Sequence, residues 1–294
     1  MIGVNTALDF SIFSKALYSS WCYRPTNQIL FDCGEGCATY LGNSLTGVEF
    51  LFFSHKHGDH VLGLPSLIGC RNSAQGTSRN VETMAEHNKP LSIYYPADNT
   101  MKDLFDFCLK RNDQLRYELN IIPIEPGFEL QIGKNLYIKA IKMLHQNNAT
   151  TLGYVIYENR IRLKKEFVGQ DIRVLIKQGI DRSTLHESYR ANLFAYCLDA
   201  YKIVDSAELT NCDAVIMDCT FLNEKDRTDM THFTCKEALD LCKNLGVRRM
   251  FAAHLSNRYD FTDYVKAFPD DVAVVNNNGV RHYSREGILE NYGN

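Results

Sequence analysis

Apolar and polar positions divide the chain into two kinds of segment: short apolar runs that end in a polar residue, and longer amphipathic stretches. Val48-Glu49-Phe50-Leu51-Phe52-Phe53 is the clearest of the first kind and reads as a buried strand. It leads into Ser54-His55-Lys56-His57-Gly58-Asp59-His60. Leu62, Leu64, Leu67 and Ile68 then recur at helical spacing and are expected to face the core. Upstream, Gln28-Ile29-Leu30-Phe31-Asp32-Cys33 reads as a strand that stops at Gly34-Glu35-Gly36, with a short helix through Ala38 to Leu41. Residues 1–27 are weakly patterned, with a strand candidate at Ala16 to Trp21. Arg71 to Pro90 is polar and reads as a loop or mobile insertion. Strand patterns resume at Leu91 to Tyr95, and Met101 to Lys110 is an amphipathic helix. Further strands are expected around Ile121 to Ile124, Phe128 to Leu130 and Leu136 to Ile141. The last of these leads to His145, with Leu152 to Tyr157 as its hairpin partner.

The second half repeats the pattern. Phe194 to Leu198 leads to Asp199, Ala214 to Met217 to Asp218, and Met250 to Ala253 to His254. Thr231-His232-Phe233-Thr234 opens a helix through Ala238, Leu239, Leu241 and Cys242. Short apolar runs that each end in a residue able to ligate or titrate suit an α/β sandwich. The expected layers are αββα, two mixed sheets flanked by helices, with the site along one edge. Residues 1–294 are expected to form one domain, interrupted by an arm at about 158–193. In that arm Arg160, Arg162, Lys164, Lys165, Arg173, Lys177, Arg182 and Arg190 outnumber the acids. It reads either as a phosphate-binding arm or as a solvated charged face.

Composition changes this picture little. At 294 residues the chain is long enough to bury a sizeable core, and a net charge of −3 singles out no partner. No apolar run approaches a membrane span, and no basic region followed by an apolar core marks a signal peptide, so a cytoplasmic protein without a membrane partner is expected. The ten cysteines contain no C-x-x-C pair and are read as reduced and structural.

Chemistry enters at His55 to His60. On a strand end His55 and His57 point the same way, and the turn at Gly58 brings Asp59 and His60 round to the same pole. Imidazoles that bind a borderline ion, beside a carboxylate that ligates or takes a proton, are what two neighbouring divalent metals require. Six of the nine histidines (His55, His57, His60, His145, His232 and His254) lie at strand ends or in this motif. His87, His186 and His282 are taken as surface residues. Asp32, at a strand end beside glycines, either orients a ligating histidine or caps a turn.

The motif H-x-H-x-D-H resembles that of the metallo-β-lactamase superfamily, and further motifs resemble its ribonuclease Z-like branch. Phe31-Asp32-Cys33-Gly34-Glu35-Gly36 looks like that branch's Asp-x-Gly-Glu-Gly turn, and Asp218-Cys219-Thr220-Phe221 its Glu-Ala-Thr-Phe. His232-Phe233-Thr234 is similar to His-Ser-Thr, and His254-Leu255-Ser256-Asn257-Arg258-Tyr259 to His-x-Ser-x-Arg-Tyr. The resemblance implies that His55, His57 and His145 hold one metal, that Asp59, His60 and His254 hold the other, and that Asp199 bridges them. It implies a dinuclear-zinc phosphodiesterase with a metal-bridging hydroxide, although the same donors accept Mn(2+) or Fe(2+). Asp59 is then placed to take the proton of the attacking water. His232 beside Asp218 would stabilise or protonate the leaving oxygen. A homodimer is implied in the same way.

Substrate is where the chain departs from the resemblance. Ribonuclease Z enzymes that mature transfer RNA carry a glycine-rich arm with a Gly-Pro element, and this chain has a shorter, proline-free basic segment there. A tRNA precursor is therefore weighed against a small cyclic nucleotide, the substrate of anti-Pycsar-like relatives of the same fold. A metal-binding protein without turnover is the third reading.

Overall fold

The computed structural model describes residues 8–75, 88–97, 101–112, 114–146, 150–227, 229–284 and 287–289. The first half builds β1 (Phe10–Lys15), β2 (Ser19–Arg24), β3 (Ile29–Phe31), β4 (Phe50–Phe52), β5 (Leu91–Pro96) and β6 (Leu119–Ile124). The second builds β7 (Glu129–Gly133), β8 (Leu136–Leu144), β9 (Thr150–Leu163), β10 (His186–Cys197), β11 (Lys202–Ile203), β12 (Ala214–Asp218), β13 (Met250–Ala253) and β14 (Ala273–Val274). The chain then returns to the first sheet with β15 (Arg281–Ser284) and β16 (Gly287–Leu289). One sheet has the order β16-β15-β1-β2-β3-β4-β5-β6. The other runs β11-β8-β9-β10-β12-β13-β14, with β7 added onto β8.

Both sheets are mixed. β3 to β6 are parallel, as are β10, β12, β13 and β14; the antiparallel pairs come from hairpins and from the long-range pairings of β1 with β15 and of β8 with β11. Parallel strands are covered on both faces, which is why β12 reads Ala-Val-Ile-Met-Asp with every residue buried. Phe10, Phe31, Phe52, Tyr154, Phe194, Tyr196 and Phe251 fill the space between the sheets. There Phe31 stacks on Tyr196 with ring centroids 5.1 Å apart.

Helices α1 (Cys37–Leu41), α2 (Gly58–Val61), α3 (Leu64–Ala74) and α4 (Met101–Lys110) belong to the first half. α1, α3 and α4 cover the outer face of the first sheet, packing Leu41, Leu64, Leu67, Ile68 and Phe105 over Leu30, Leu51 and Ile93. α5 (Ile172–Lys177) stands apart, and α6 (Cys235–Asn244) and α7 (Phe261–Ala267) cover the second sheet. α6 begins on a capping box in which Thr234 accepts from the Glu237 amide and Glu237 answers to the Thr234 amide. Such a cap contributes about 1 kcal/mol and fixes where the helix starts, its capping residue lying two residues after His232. These four layers are the αββα sandwich.

Several expectations need correction. Ala16 to Trp21 is not one strand: β1 ends at Lys15, Ala16 to Tyr18 form the turn, and β2 begins at Ser19. Leu62 does not face the core but is 61% exposed, because α2 ends at Val61 and α3 starts at Leu64 in a new phase. Arg71 is not a loop residue. It lies buried in α3 and donates to the carbonyls of Leu45, Val48 and Lys89 at 2.6–2.7 Å. Most of the polar stretch after it, with His87, lies outside the described residues. His186 is exposed, but His282 is half-buried and bonded to Ser11 (2.7 Å) and Tyr40.

The segment at 158–193 is mostly a two-stranded ribbon, the outer ends of β9 and β10 paired from Leu163/His186 inward. α5 lies at its tip, where Asp171 caps it by accepting from the Arg173 amide at 2.8 Å. Arg160 pairs with Glu158, Arg162 with Glu187 and Arg190 with Glu208, so part of the basic excess is neutralised locally. No helix among the described residues is long and apolar enough to cross a membrane.

Candidate metal centre

The carboxyl ends of β3, β4, β8, β10, β12 and β13 converge on one edge of the sandwich. They carry Asp32, His55, His145, Asp199, Asp218 and His254 respectively. α2 turns His57, Asp59 and His60 into the same space. Two contacts tie the sheets together here: the Leu152 amide donates to the Ser54 carbonyl (2.9 Å), and the Tyr154 hydroxyl to that of Phe53 (2.5 Å). Gly34 makes the approach possible, since a Cβ there would lie 2.4 Å from the Asp59 carbonyl. Asp32, Asp199 and His254 leave their strands with φ of 53°, 54° and 58°. Left-handed backbone at a residue other than glycine costs about 1–3 kcal/mol, and three cases at one edge mark where the fold is bent to serve the site.

Three groups of donor atoms result. His55, His57 and His145 with Asp199 form one, Asp59, His60 and His254 with Asp199 the second, and Asp218, His232 and His254 with Asp199 a third; within each, all atoms lie within 4.8 Å of one another. Asp199 belongs to all three, and the first two hold the residues of the H-x-H-x-D-H motif. Its Oδ2 lies 3.3 Å from His55 Nε2 and 4.0 Å from His145 Nε2, and its Oδ1 lies 3.3 Å from His60 Nε2 and 2.7 Å from His254 Nε2. Asp59 Oδ2 faces the second group alone, 3.5 Å from His60 and 3.6 Å from His254.

Four of the five histidines in the first two groups are fixed through the other ring nitrogen. His55 Nδ1 pairs with Ser54 Oγ (2.9 Å), His60 Nδ1 with Asp32 Oδ2 (2.7 Å), His145 Nδ1 with the Thr231 carbonyl (2.7 Å) and His254 Nδ1 with Thr220 Oγ1 (2.9 Å). The Asp32 carboxylate and the Thr231 carbonyl can only accept from Nδ1, and the Ser54 and Thr220 hydroxyls, which donate to Asp32 and Asp218, are free to accept as well, so Nε2 of each ring is turned inward, the arrangement that orients a metal-binding imidazole. Asp32 is thus a positioning residue, fully buried and holding Ser54, His60 and Tyr196 through bonds of 2.7–3.0 Å. Ser54, Tyr196, Thr220 and Ser14, which accepts from the His254 amide at 3.0 Å, were not singled out by sequence. Ser54 and Thr220 lie within the stretches Ser54 to His60 and Asp218 to Phe221 but carry no role there; the pattern of β1 and β10 gives no signal for Ser14 or Tyr196.

The electrostatics agree with a site built for cations. Burial pushes the His55, His57 and His145 imidazoles below the ordinary histidine value, so they stay neutral and able to ligate. Burial also opposes charge on His60 and His254, but Asp199, together with Asp32 at His60 and with Asp59 and Asp218 at His254, outweighs it and raises both, His254 to about 10. Against the same burial, His254 and His60 hold the carboxyls of Asp59 and Asp199 well below the carboxylate range.

His55 Nε2, His60 Nε2, His254 Nε2 and Asp199 Oδ1 are buried without a hydrogen-bond partner among the described residues. Unsatisfied buried polar atoms are costly, and four pointing at one another are explained by ions between them. Mixed imidazole and carboxylate donors fit a borderline divalent ion.

His232 stands beside the first two groups, its ring 4.7 Å from that of His145 and 5.1 Å from that of His254. Its Nδ1 donates to Asp218 Oδ2 at 2.8 Å. Asp218 Oδ1 in turn accepts from the Thr220 amide and hydroxyl, so a short chain of bonds joins His254, Thr220, Asp218 and His232. A cleft of about 440 Å³ opens onto the site, lined by His57, Asp59, His145, His232, His254 and Arg258. All the site residues expected from sequence, His55, His57, Asp59, His60, His145, Asp199, Asp218, His232 and His254, lie in this one cluster.

A sandwich of this topology with paired His/Asp donor groups at its strand ends defines a metallo-β-lactamase-fold protein. Residues 27–164 match the family model described as the Beta-lactamase superfamily domain. A Ribonuclease Z of Sulfolobus acidocaldarius is 27% identical over 266 residues, covering 82% of each chain. The tRNase Z TRZ1 of Arabidopsis thaliana is 28% identical over 264 residues, covering 83% of this chain and 85% of that one. The short form of human tRNase Z has the same fold, with a TM-score of 0.63 and 17% identity over 93% of this chain and 98% of its own. The chain thus has the metallo-β-lactamase fold and is similar, over about four-fifths of its length, to proteins named ribonuclease Z and tRNase Z.

Proposed function

We propose that this chain is a dinuclear-zinc phosphodiesterase that cuts RNA endonucleolytically, as in the trimming of 3′ trailers from transfer-RNA precursors. The observation that carries the reading is the Asp199 carboxylate, with one oxygen turned to each of the first two donor groups. His55, His57 and His145 would hold one ion, Asp59, His60 and His254 the other, and Asp199 both. When bound, the ions supply a water-derived nucleophile at neutral pH and neutralise phosphoryl oxygens in line. The protein does the rest. Asp59, at the cleft wall, accepts the proton of the attacking water. His232, aimed by Asp218, gives a proton to the leaving oxygen. The names of the relatives support RNA as the substrate class.

The test is side-by-side hydrolysis, by zinc-loaded protein, of a precursor transfer RNA with a 3′ trailer and a panel of cyclic nucleotides, with Asp59→Ala as control. Endonucleolytic cleavage of the trailer, abolished by chelation and reduced at least about a hundredfold in Asp59→Ala, is the expected result. Ring opening of a cyclic nucleotide with the RNA left whole would overturn the assignment in favour of small-nucleotide hydrolysis.

A further inference from the structure

We infer that Tyr18, at the tip of the β1–β2 turn, is the platform on which an unpaired nucleobase next to the scissile phosphate stacks. Ala16, Leu17 and Tyr18 form one wall of the cleft that holds His57, Asp59, His232 and His254. Tyr18 is 61% exposed and Leu17 89% exposed. Leu17 also has a φ of 72°. The strain belongs to Leu17 and shapes the turn; what bears on Tyr18 is that a large aromatic ring is left exposed at the lip of a cleft, where it is available to a ligand. The turn is nevertheless fixed, because the Tyr18 amide closes it onto the Lys15 carbonyl at 3.0 Å. The Lys15 ammonium sits 5.1 Å from the centre of the Tyr18 ring, which backs the ring and enriches its attraction for a π-system.

Arg258, its guanidinium 5.5 Å from the centre of the Phe221 ring, lines the same cleft. A phosphate therefore finds imidazole and guanidinium in this cleft, and a flat apolar group finds Tyr18. A cleft that offers both suits a nucleotide whose base is swung out of its stack. Base-paired RNA presents no such face, so the segment accepted is single-stranded at the cut. The inference rests on the phosphodiesterase reading above and deepens it, by naming an unpaired flanking base as part of what is recognised.

The test compares Tyr18→Ala, Tyr18→Phe and the unaltered zinc-loaded chain. Each is given a short RNA and the same RNA made abasic at the nucleotide flanking the cut. Stacking on an aromatic side chain is expected to be worth roughly 5- to 150-fold per base. Tyr18→Ala should lose about that much in kcat/KM on the intact RNA and no more on the abasic one, and Tyr18→Phe should keep full rate. A second readout does not use turnover: 2-aminopurine at the flanking position should be quenched on binding to zinc-loaded Asp59→Asn and stay bright when Tyr18→Ala is added. Cleavage with an equal loss on both RNAs, or with none on either, overturns the stacking role and leaves the hydrolase reading standing. Tyr18-dependent quenching without cleavage under zinc, manganese or iron upholds the stacking role and overturns the hydrolase reading.

Discussion

His232 separates the residues that hold ions from those that move protons. Its Nδ1 is committed to Asp218, it stacks on the His254 ring, and it lines the cleft. Replacing it with alanine removes a proton donor but no residue of the first two donor groups built on Asp199. His232→Ala is therefore expected to lower kcat by about 10²–10⁴-fold with zinc content unchanged, measured by steady-state kinetics alongside metal analysis. A variant that loses both would mean that the ring is part of the scaffold. Asp32 shows the complementary case. It never reaches the cleft, yet it aims His60 and, through Ser54, His55. The sequence left its role open between orienting a histidine and capping a turn, because both demand a carboxylate at a strand end. Only the position of Ser54 and His60 around it decides.

At the scale of elements, what could be read in the chain was what periodicity carries. α4 and β12 lie where their apolar spacing put them, and Asp199, Asp218 and His254 stand at the ends of the apolar runs expected to present them. β1 escaped notice for a physical reason: Ser11 and Ser14 are buried in it, and Ser14 is there to hold the His254 backbone. A polar residue recruited by the site breaks the alternation that would have revealed the strand. Leu62 misled in the opposite sense, since one helical phase was assumed across a break between α2 and α3. The ribbon of β9 and β10 was seen only as charge. With Arg160, Arg162 and Arg190 paired to acids, its free cations are chiefly Lys164, Lys165, Arg173, Lys177 and Arg182 among the described residues. Neutralising Lys164, Lys165, Arg173 and Lys177 together is expected to weaken binding of folded precursor RNA and to flatten its salt dependence by about three to four units of slope. Hydrolysis of a short single-stranded RNA should be unchanged. Filter binding from low to moderate salt checks the first and kinetics the second.

At the scale of the molecule, the site is a junction between two sheets whose charges are balanced without ions by protons on imidazole. His254, raised to about 10, and His60, also raised, carry protons at neutral pH in the ion-free chain. Metal and proton compete for the same Nε2 atoms. Loading the site at pH 7 is expected to release protons, the His254 proton among them, and affinity should climb as pH rises until His254 is neutral near pH 10. Calorimetry in two buffers of different ionisation enthalpy measures that release, and a value near zero would contradict the proton-bearing state. The shared carboxylate of Asp199 has one more consequence, which concerns time. During synthesis His55, His57, Asp59 and His60 leave the ribosome long before His145, Asp199 and His254. The first donor group thus lacks its shared carboxylate until about two-thirds of the chain has been made, and the second lacks His254 until nearly nine-tenths. The pair is incomplete in any product that stops before His254, so such a truncated chain has the opening motif of the site and at most one of its two groups.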